Sequence, residues 1–151
     1  MIHSRTFHVK HYLELDVDEF VFKGAVNYIP ESLLYRLTDN PYTKTLCTPE
    51  GFPLMVIGIV PINVGIGEVF ILPGKGWVKH TIEICKIIKS ELAKLMMFHH
   101  RIQVTCTVKD EKYARFLELF GFEREGVLRH YDNSGEDHYM YSIISGDLDA
   151  N

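Results

Sequence analysis

Two short stretches of the sequence carry residue types from which a catalytic or binding site can be built. The first is Glu68, which begins a short apolar run. A carboxylate there can accept a proton near neutral pH if burial raises its pKa, and an exposed glutamate at a strand edge is the simpler alternative. The second stretch is Gly74, Lys75 and Gly76, which precede a helical pattern. Backbone N–H groups at a helix N-terminus can bind phosphate, whereas the same glycines can simply shape the loop that leads into the helix.

Apolar periodicity predicts the elements that position these residues. The runs Leu54 to Val60 and Glu68 to Leu72, each bounded by proline or glycine, predict a hairpin of strands buried on both faces. From Trp77 to Met97, apolar residues recur every three or four positions, which predicts the longest helix of the chain. Its predicted apolar stripe comprises Val78, Ile82, Cys85, Ile88, Leu92 and Leu95.

The last third of the chain predicts a strand, a helix and a second hairpin. Ile102 to Val108 alternates apolar and polar residues, as a half-covered strand does. The spacing from Tyr113 to Phe120 is helical, and Gly121 stands where a left-handed glycine ends a helix. Val127 to Tyr131 and His138 to Ile144 then flank a turn-rich segment, which is typical of a hairpin.

Two helices are predicted ahead of these strands. Asp16 and Glu19 have the spacing of a capping box, and Gly24 is the expected end of that helix. Pro30 opens a second helix that ends before Pro41. The order of elements predicts an α+β fold, in which a mostly antiparallel mixed sheet contains one central pair of parallel strands and has helices on its faces.

Composition restricts the class of protein. A chain of 151 residues with an apolar fraction of 46% can bury a full core, so we expect one domain over residues 1–145 and a tail at 146–151. The net charge of -4 gives no broad positive surface for nucleic acid. No apolar run is long enough for a membrane span or a signal peptide, so we expect a cytoplasmic protein without a membrane partner. Three cysteines without metal-ligand spacing, Cys47, Cys85 and Cys106, are expected to be core residues in a protein without a metal site.

The segment from Arg101 to Ile144 resembles the end of GNAT acetyltransferases, especially those that modify the N-termini of ribosomal proteins. The residues that carry this resemblance are Ala114, Gly121, Phe122, Glu125, Gly126, Arg129, Gly135, Asp137 and Tyr141. It implies the GNAT fold and the transfer of an acetyl group from acetyl-CoA to a primary amine of a small molecule or protein. The matching residues are mainly structural, so they identify a fold more than a reaction.

The resemblance also assigns a coenzyme site, because GNAT proteins hold the pyrophosphate of coenzyme A in a glycine-rich loop at the start of their long helix. The corresponding residues here are Leu72, Gly74, Lys75, Gly76, Trp77 and Lys79. His80 adds positive charge, but no arginine or glutamine stands at the usual place, and bulky Trp77 follows the glycines directly. A remodelled phosphate loop and a loop that has lost its coenzyme both fit this sequence.

A GNAT reaction requires a base for the amine and an acid for the departing thiolate. Glu68 is the candidate base. The usual tyrosine and serine positions on the helix after the fifth strand hold Leu117 and Ala114, neither of which can donate a proton. Tyr113 is the nearest hydroxyl and the candidate acid, although its spacing with Phe116 favours core packing.

A second resemblance is to the GNAT-like proteins of short-tailed bacteriophages, some of which are internal virion or assembly proteins. This resemblance rests on three features: the apolar hairpin that begins with Gly51 to Leu54, a helix start rich in lysine and histidine, and the altered loop. It implies an alternative function, as a non-catalytic protein that has lost coenzyme binding. Such a protein would lie in the host cytoplasm or the virion, and its partners would be virion components or a second copy of the chain.

Overall fold

The computed structural model describes residues 1–17 and 31–146. The strands are β1 (His3–Thr6), β2 (Lys44–Cys47), β3 (Pro53–Asn63), β4 (Ile66–Pro73), β5 (Arg101–Thr107), β6 (Glu123–Leu128) and β7 (His138–Ile144). The helices are α1 (Val9–Glu14), α2 (Glu31–Leu37), α3 (Thr81–Met96) and α4 (Glu111–Leu119). A 3₁₀ helix, Lys75–His80, runs directly into α3. In the described ranges, no helix is long and apolar enough to cross a membrane.

The seven described strands form one sheet in the order β1-β2-β3-β4-β5-β7-β6. Neighbouring strands are antiparallel except β4 and β5, which are parallel and are connected through α3. The predicted α+β architecture with one central parallel pair is therefore confirmed. The parallel pair exists because a long crossover helix brings the chain back to the starting end of the sheet.

Helices cover both faces of the sheet, which explains the continuous apolar runs in β3 and β4. Val69 and Ile71 pack in the core beneath α3 and α4, whereas Phe70 and Leu72 pack on the opposite face with residues of α1 and α2. The second cluster contains Phe7, Leu15, Leu34, Leu37, Val56, Phe70 and Leu72. Successive residues of a strand point to opposite faces, so both faces of these strands must be apolar.

The predicted stripe of the long helix is wrong in its first turns. Val78 and Ile82 are exposed by 55% and 77%, whereas Ile84 is fully buried. Residues 75–80 form a 3₁₀ helix with about three residues per turn, so the face of α3 toward the sheet differs from the face expected for a continuous α-helix. From Ile88 onward, the prediction holds, and Leu92 and Leu95 are buried as expected.

Two other predicted boundaries also change. The hairpin strand predicted from Val127 to Tyr131 ends at Leu128, because His130 adopts a left-handed φ of 50° and its N–H group bonds to Asp137, which starts the chain reversal early. The first predicted helix lies mainly outside the described residues, and its predicted first residue, Val17, instead forms an antiparallel bridge to Gly74.

Candidate active site

A gap opens in the middle of the sheet between β4 and β5. The two strands pair at only three positions, and the last of these joins Glu68 to Gln103. Beyond that pair, β4 is bonded only to β3 and β5 only to β7 among the described strands. Strands that separate in this way leave backbone N–H and C=O groups available to an extended ligand.

Glu68 lies at the closed end of this gap. Its place in the alternation puts it on the same face as Phe70 and Leu72, the face covered by α1 and α2. Burial raises the pKa of the Glu68 carboxyl, and a hydrogen bond with Gln103 opposes that rise. The structure thus provides a carboxylate with the raised pKa that a general base needs, while its role as the base stays a prediction.

Tyr113 lies on the other face of the sheet, in the first turn of α4. It is buried, with 1% of its surface exposed, and its ring stacks on Phe116 with ring centres 6.5 Å apart. Burial raises the pKa of Tyr113, and Cys106, Asp110 and Glu68 raise it further. The packing role expected from its spacing is present.

The glycines at the start of the helical run serve packing. A Cβ atom on Gly74 would lie 2.6 Å from Leu15 Cδ1 and 3.1 Å from the Leu54 carbonyl oxygen, and one on Gly76 would lie 3.0 Å from Leu54 Cδ2. Gly74 also donates its N–H to the Leu54 carbonyl at 2.8 Å. Close packing in the loop that leads into the helix therefore explains why both positions are glycine.

The backbone donors next to these glycines already have partners. The Lys75 N–H donates to the Asp16 carbonyl at 2.7 Å, and the Trp77 N–H donates to the Gly74 carbonyl at 3.1 Å. Because the 3₁₀ helix runs directly into α3, the N–H groups that begin the helical run belong to this loop and not to Thr81. The predicted phosphate cradle at residues 74–77 is therefore largely closed by the protein's own carbonyl groups.

Three predicted coenzyme contacts occupy different environments. Leu72 is buried under α1 and α2, and Trp77 is buried with its ring edge against Phe116, at a centre-to-centre distance of 6.0 Å. Lys79 is exposed and borders an open pocket of about 420 Å³ at the start of α3. The pocket is also lined by Val78, His80, Thr81, Ile82, Glu83 and Lys86. This pocket, and not the glycine pair, gathers the positive side chains.

Solved structures share this architecture over nearly the whole chain. The GNAT-family acetyltransferase from Bacillus anthracis aligns with a TM-score of 0.71 and 17% identity, covering 96% of this chain and 95% of that one. Ard1 from Thermoplasma volcanium aligns with a TM-score of 0.76 and 12% identity, covering 95% and 97%. The chain has the GNAT fold. The resemblance predicted from residues 101–144 is thereby confirmed at the level of fold.

A further GNAT-fold structure shows ligands. Spermidine N-acetyltransferase from Vibrio cholerae, in complex with CoA and spermine, aligns with a TM-score of 0.67 and 17% identity, covering 96% of both chains. No family profile matches this sequence, and no curated protein is similar to it at the level of sequence. In the described ranges of this GNAT fold, no group of three or more metal-ligating side chains comes together.

A group of polar residues that no local sequence pattern indicates lies beside Glu68. Arg101 donates two hydrogen bonds to Glu125, at 2.6 and 3.0 Å, and its Nε donates to Gln103 Oε1 at 2.8 Å. Ser142 bonds to the same glutamate. Alternation along β5 places Arg101 and Gln103 on one face, but only the pairing of β5 with β7 and of β7 with β6 brings the other residues to them. The hairpin of β6 and β7 is predicted from the sequence, but the pairing of β5 with β7 and the exact register of both pairs are not.

Proposed function

We propose that this protein is a GNAT-type acetyltransferase that transfers the acetyl group of acetyl-CoA to a primary amine. The observation that carries the proposal is the gap between β4 and β5, with Glu68 at its closed end. Tyr113 is buried in the first turn of α4, in the core on the opposite face of the sheet. The spermidine N-acetyltransferase of the same fold is in complex with CoA, which forms thioesters, and with spermine, which is an amine. That complex supports these two classes of ligand for the present protein. The acceptor is a small molecule or a protein with a free amine.

In the proposed reaction, the amine nitrogen attacks the acetyl carbonyl carbon, so that a C–N bond forms and the C–S bond breaks. Glu68 accepts the amine proton, and Tyr113 gives its proton to the departing thiolate. Burial raises the pKa of Glu68, which favours its role as the base. Burial also raises the pKa of Tyr113, which keeps the hydroxyl protonated but makes it a weaker acid. We expect direct attack in a ternary complex. Burial raises the pKa of the Cys106 thiol to about 12, which makes this thiol a poor nucleophile for a covalent intermediate.

The residues fit the coenzyme at the start of α3 better than at the two glycines. Lys79, His80 and Lys86 surround the open pocket there and would hold the phosphates through their charge. Lys75 can contribute only after it separates from Asp16. The unpaired edge of β4 after Glu68 is the place where the extended part of the coenzyme would lie.

Calorimetric titration with acetyl-CoA, together with a coupled thiol-release assay over a panel of amines, tests this proposal. We expect binding at micromolar to millimolar concentrations and a matching rise in thermal midpoint. Lys79→Glu is expected to weaken binding about tenfold or more, since it places a negative charge beside the phosphates. Lys109→Glu is the matched control, because Lys109 is an exposed lysine in a distant ion pair with Glu136. No binding at millimolar acetyl-CoA would end the proposal.

A second candidate function is a non-catalytic role, as implied by the resemblance to phage internal virion or assembly proteins. The observations that favour it are the closed loop at residues 74–77 and the burial of Ala114 and Leu117, which stand where the family carries its acid. Its partners would be virion components or a second copy of the chain. Acetyl transfer to any amine that is lost in Glu68→Gln would reject it, whereas absence of both turnover and coenzyme binding would favour it.

A further inference from the structure

A series of polar side chains leads to Glu68 from the far strands of the sheet. Gln103 is the register partner of Glu68 on β5, so the two side chains are neighbours on one face of the sheet. Gln103 Oε1 accepts a hydrogen bond from Arg101 Nε at 2.8 Å. The Arg101 guanidinium is held in turn by both carboxylate oxygens of Glu125, and Ser142 bonds to one of these oxygens.

These contacts determine which end of the Gln103 amide faces Glu68. A glutamine amide has one acceptor oxygen and one NH₂ donor group. Because Arg101 donates to the oxygen, the NH₂ group is the end that remains for the carboxylate of Glu68. The bidentate pair with Glu125 fixes the plane of the guanidinium, so Arg101 cannot easily turn away. A donor aimed at a carboxylate stabilises its charged form.

We propose that Gln103 and Arg101 are positioning residues for Glu68, which orient its carboxylate in a half-buried site. Gln103 acts directly on the carboxylate, and Arg101 acts by fixing the Gln103 amide. The proposal rests on the proposed function for the reaction that Glu68 serves, but the positioning itself is a property of the protein without ligands. The charge of Glu68 contributes to the raised pKa of Tyr113 on α4 and of Tyr131 ahead of β7, so these two hydroxyls face the same region.

The direct test is a carbon-13 NMR titration of the Glu68 side-chain carboxyl. The Glu68 signal is identified as the carboxyl signal that disappears in the Glu68→Gln variant. In Gln103→Met, which keeps the length of the side chain but removes the donor, the acid dissociation constant of Glu68 is expected to fall about tenfold, the usual effect of one hydrogen bond to a charged group. Thr105→Val is the matched control, because Thr105 lies two residues along β5 on the same face. It should leave the Glu68 titration unchanged.

A second variant separates orientation from charge. Arg101→Met combined with Glu125→Gln removes one positive and one negative charge, so the net charge near Glu68 is preserved while the Gln103 amide becomes free to rotate. We expect a fall of about threefold in the Glu68 dissociation constant, since a free amide presents its NH₂ group only part of the time. If Gln103→Met does not give a folded circular dichroism spectrum, this variant decides. A Glu68 titration that is unchanged in the folded variants overturns the proposal.

Kinetics distinguish a failure of the positioning proposal from a failure of the proposed function. If the protein turns over acetyl-CoA, the acidic limb of the kcat/KM profile should move to higher pH in Gln103→Met, with the KM for acetyl-CoA unchanged. A lower kcat without movement of that limb would overturn positioning and leave a purely structural role. Absence of coenzyme binding in the unmodified protein would refute the acetyltransferase, but the NMR titration would still report on the positioning of Glu68.

Discussion

Asp16 is joined to Lys75 twice. The Asp16 carbonyl accepts the Lys75 backbone N–H at 2.7 Å, and the Asp16 carboxylate lies 3.2 Å from Lys75 Nζ. A phosphate at the start of the helical run would need the same two donors. Asp16 therefore acts as an internal anion at this position, and a phosphate-bearing ligand that uses Lys75 must displace it.

Removing the Asp16 carboxylate is expected to favour the coenzyme. In Asp16→Ala, acetyl-CoA should bind about threefold to tenfold more tightly, since the Lys75 ammonium is released for the ligand. Both side chains are well exposed, so we expect the free energy of unfolding to change by less than about 1 kcal/mol. Calorimetry at low and high salt measures the gain, which should shrink as salt screens the charges.

Glu136→Ala is the matched control for this measurement. It breaks another exposed ion pair, with an Nζ to oxygen distance of 3.0 Å to Lys109, and should leave coenzyme affinity unchanged. Equal affinities of Asp16→Ala and the unmodified protein would show that Lys75 is not a ligand of the coenzyme.

Glu68 should make the stability of the fold depend on pH. Its pKa is raised in the folded protein above the ordinary value of 4.5, mainly by burial, so the folded state holds this proton more tightly than the unfolded chain does. The tighter binding of this proton stabilises the folded state. That stabilisation is fully present below the pKa of Glu68 in the unfolded chain and is lost as the pH rises through its pKa in the folded protein. Glu68→Gln, which cannot ionise, should be more stable than the unmodified protein at pH 8 and lose that advantage near pH 4. Urea unfolding at several pH values measures the difference.

A matched carboxamide at an exposed site checks that this pH dependence belongs to Glu68. Glu123→Gln changes an exposed glutamate on the edge strand β6 and should show little pH-dependent difference. If Glu68→Gln and Glu123→Gln follow the same curve, the carboxyl of Glu68 is not held in a desolvated site.

The fold was predictable where local pattern and burial agree. The strands β3, β4, β5 and β7 and the end of α4 at Gly121 follow from apolar runs, alternation and one glycine with a φ of 91°. The strands β1 and β2 were missed, because each has only four residues and β1 is exposed along its whole length, so neither presents a readable pattern. The helix α1 was missed as well, since His8 and not a serine or aspartate caps it.

The site was predictable only in part, for a different reason. Glu68, Gly74 and Tyr113 stand out through their type and position along the chain. The relation of Asp16 to Lys75 joins residues that lie far apart in sequence, and the relation of Gln103 to Glu68 depends on the register of a parallel pair. Neither relation leaves a local signature. The sequence at residues 74–77 indicates a phosphate loop. In the folded chain, Asp16 occupies the donors of Lys75 in this loop, and no local pattern predicts that contact.

The hydroxyl of Tyr113 can be tested without disturbing the packing of its ring. In Tyr113→Phe, acetyl transfer should fall about 100-fold, because the thiolate loses its proton donor, while the KM for acetyl-CoA changes by less than about twofold. Tyr141→Phe is the control, since Tyr141 is another fully buried tyrosine of the same core, and its hydroxyl is bonded to Arg124 at 3.0 Å and to Glu118 at 3.1 Å. It should cost about 1–2 kcal/mol of stability and leave turnover intact. Full activity in Tyr113→Phe would assign the acid to another group.

Two glycines of the last third should differ in their tolerance of alanine. Gly121 has a φ of 91°, and Gly126 has no positive φ, while neither would place a Cβ within 4 Å of another atom. Gly121→Ala should therefore lower the free energy of unfolding by about 1–2 kcal/mol through backbone strain alone. Gly126→Ala should change it by less than about 0.5 kcal/mol. Chemical denaturation of the two variants makes the comparison, and equal losses would contradict the strain argument.

Gly74 leaves no room for a side chain between Leu15 and Leu54. A Cβ there would lie 2.6 Å from Leu15 Cδ1, which is buried against Leu72 and Phe70, and 3.1 Å from the Leu54 carbonyl. Gly74→Ala should thus lower the free energy of unfolding by about 1–3 kcal/mol through overpacking, whether or not a coenzyme is present.

A double-mutant cycle with Leu15→Ala tests which contact is responsible. Leu15→Ala alone should cost about 2–4 kcal/mol as a cavity, but in its presence Gly74→Ala should cost at least about 1 kcal/mol less, because the clashing methyl group is gone. Leu34→Ala removes another buried leucine of the same cluster and should leave the cost of Gly74→Ala unchanged. A Gly74→Ala that is fully stable but fails to bind acetyl-CoA would mean instead that the glycine serves the ligand, as the phosphate-loop reading requires.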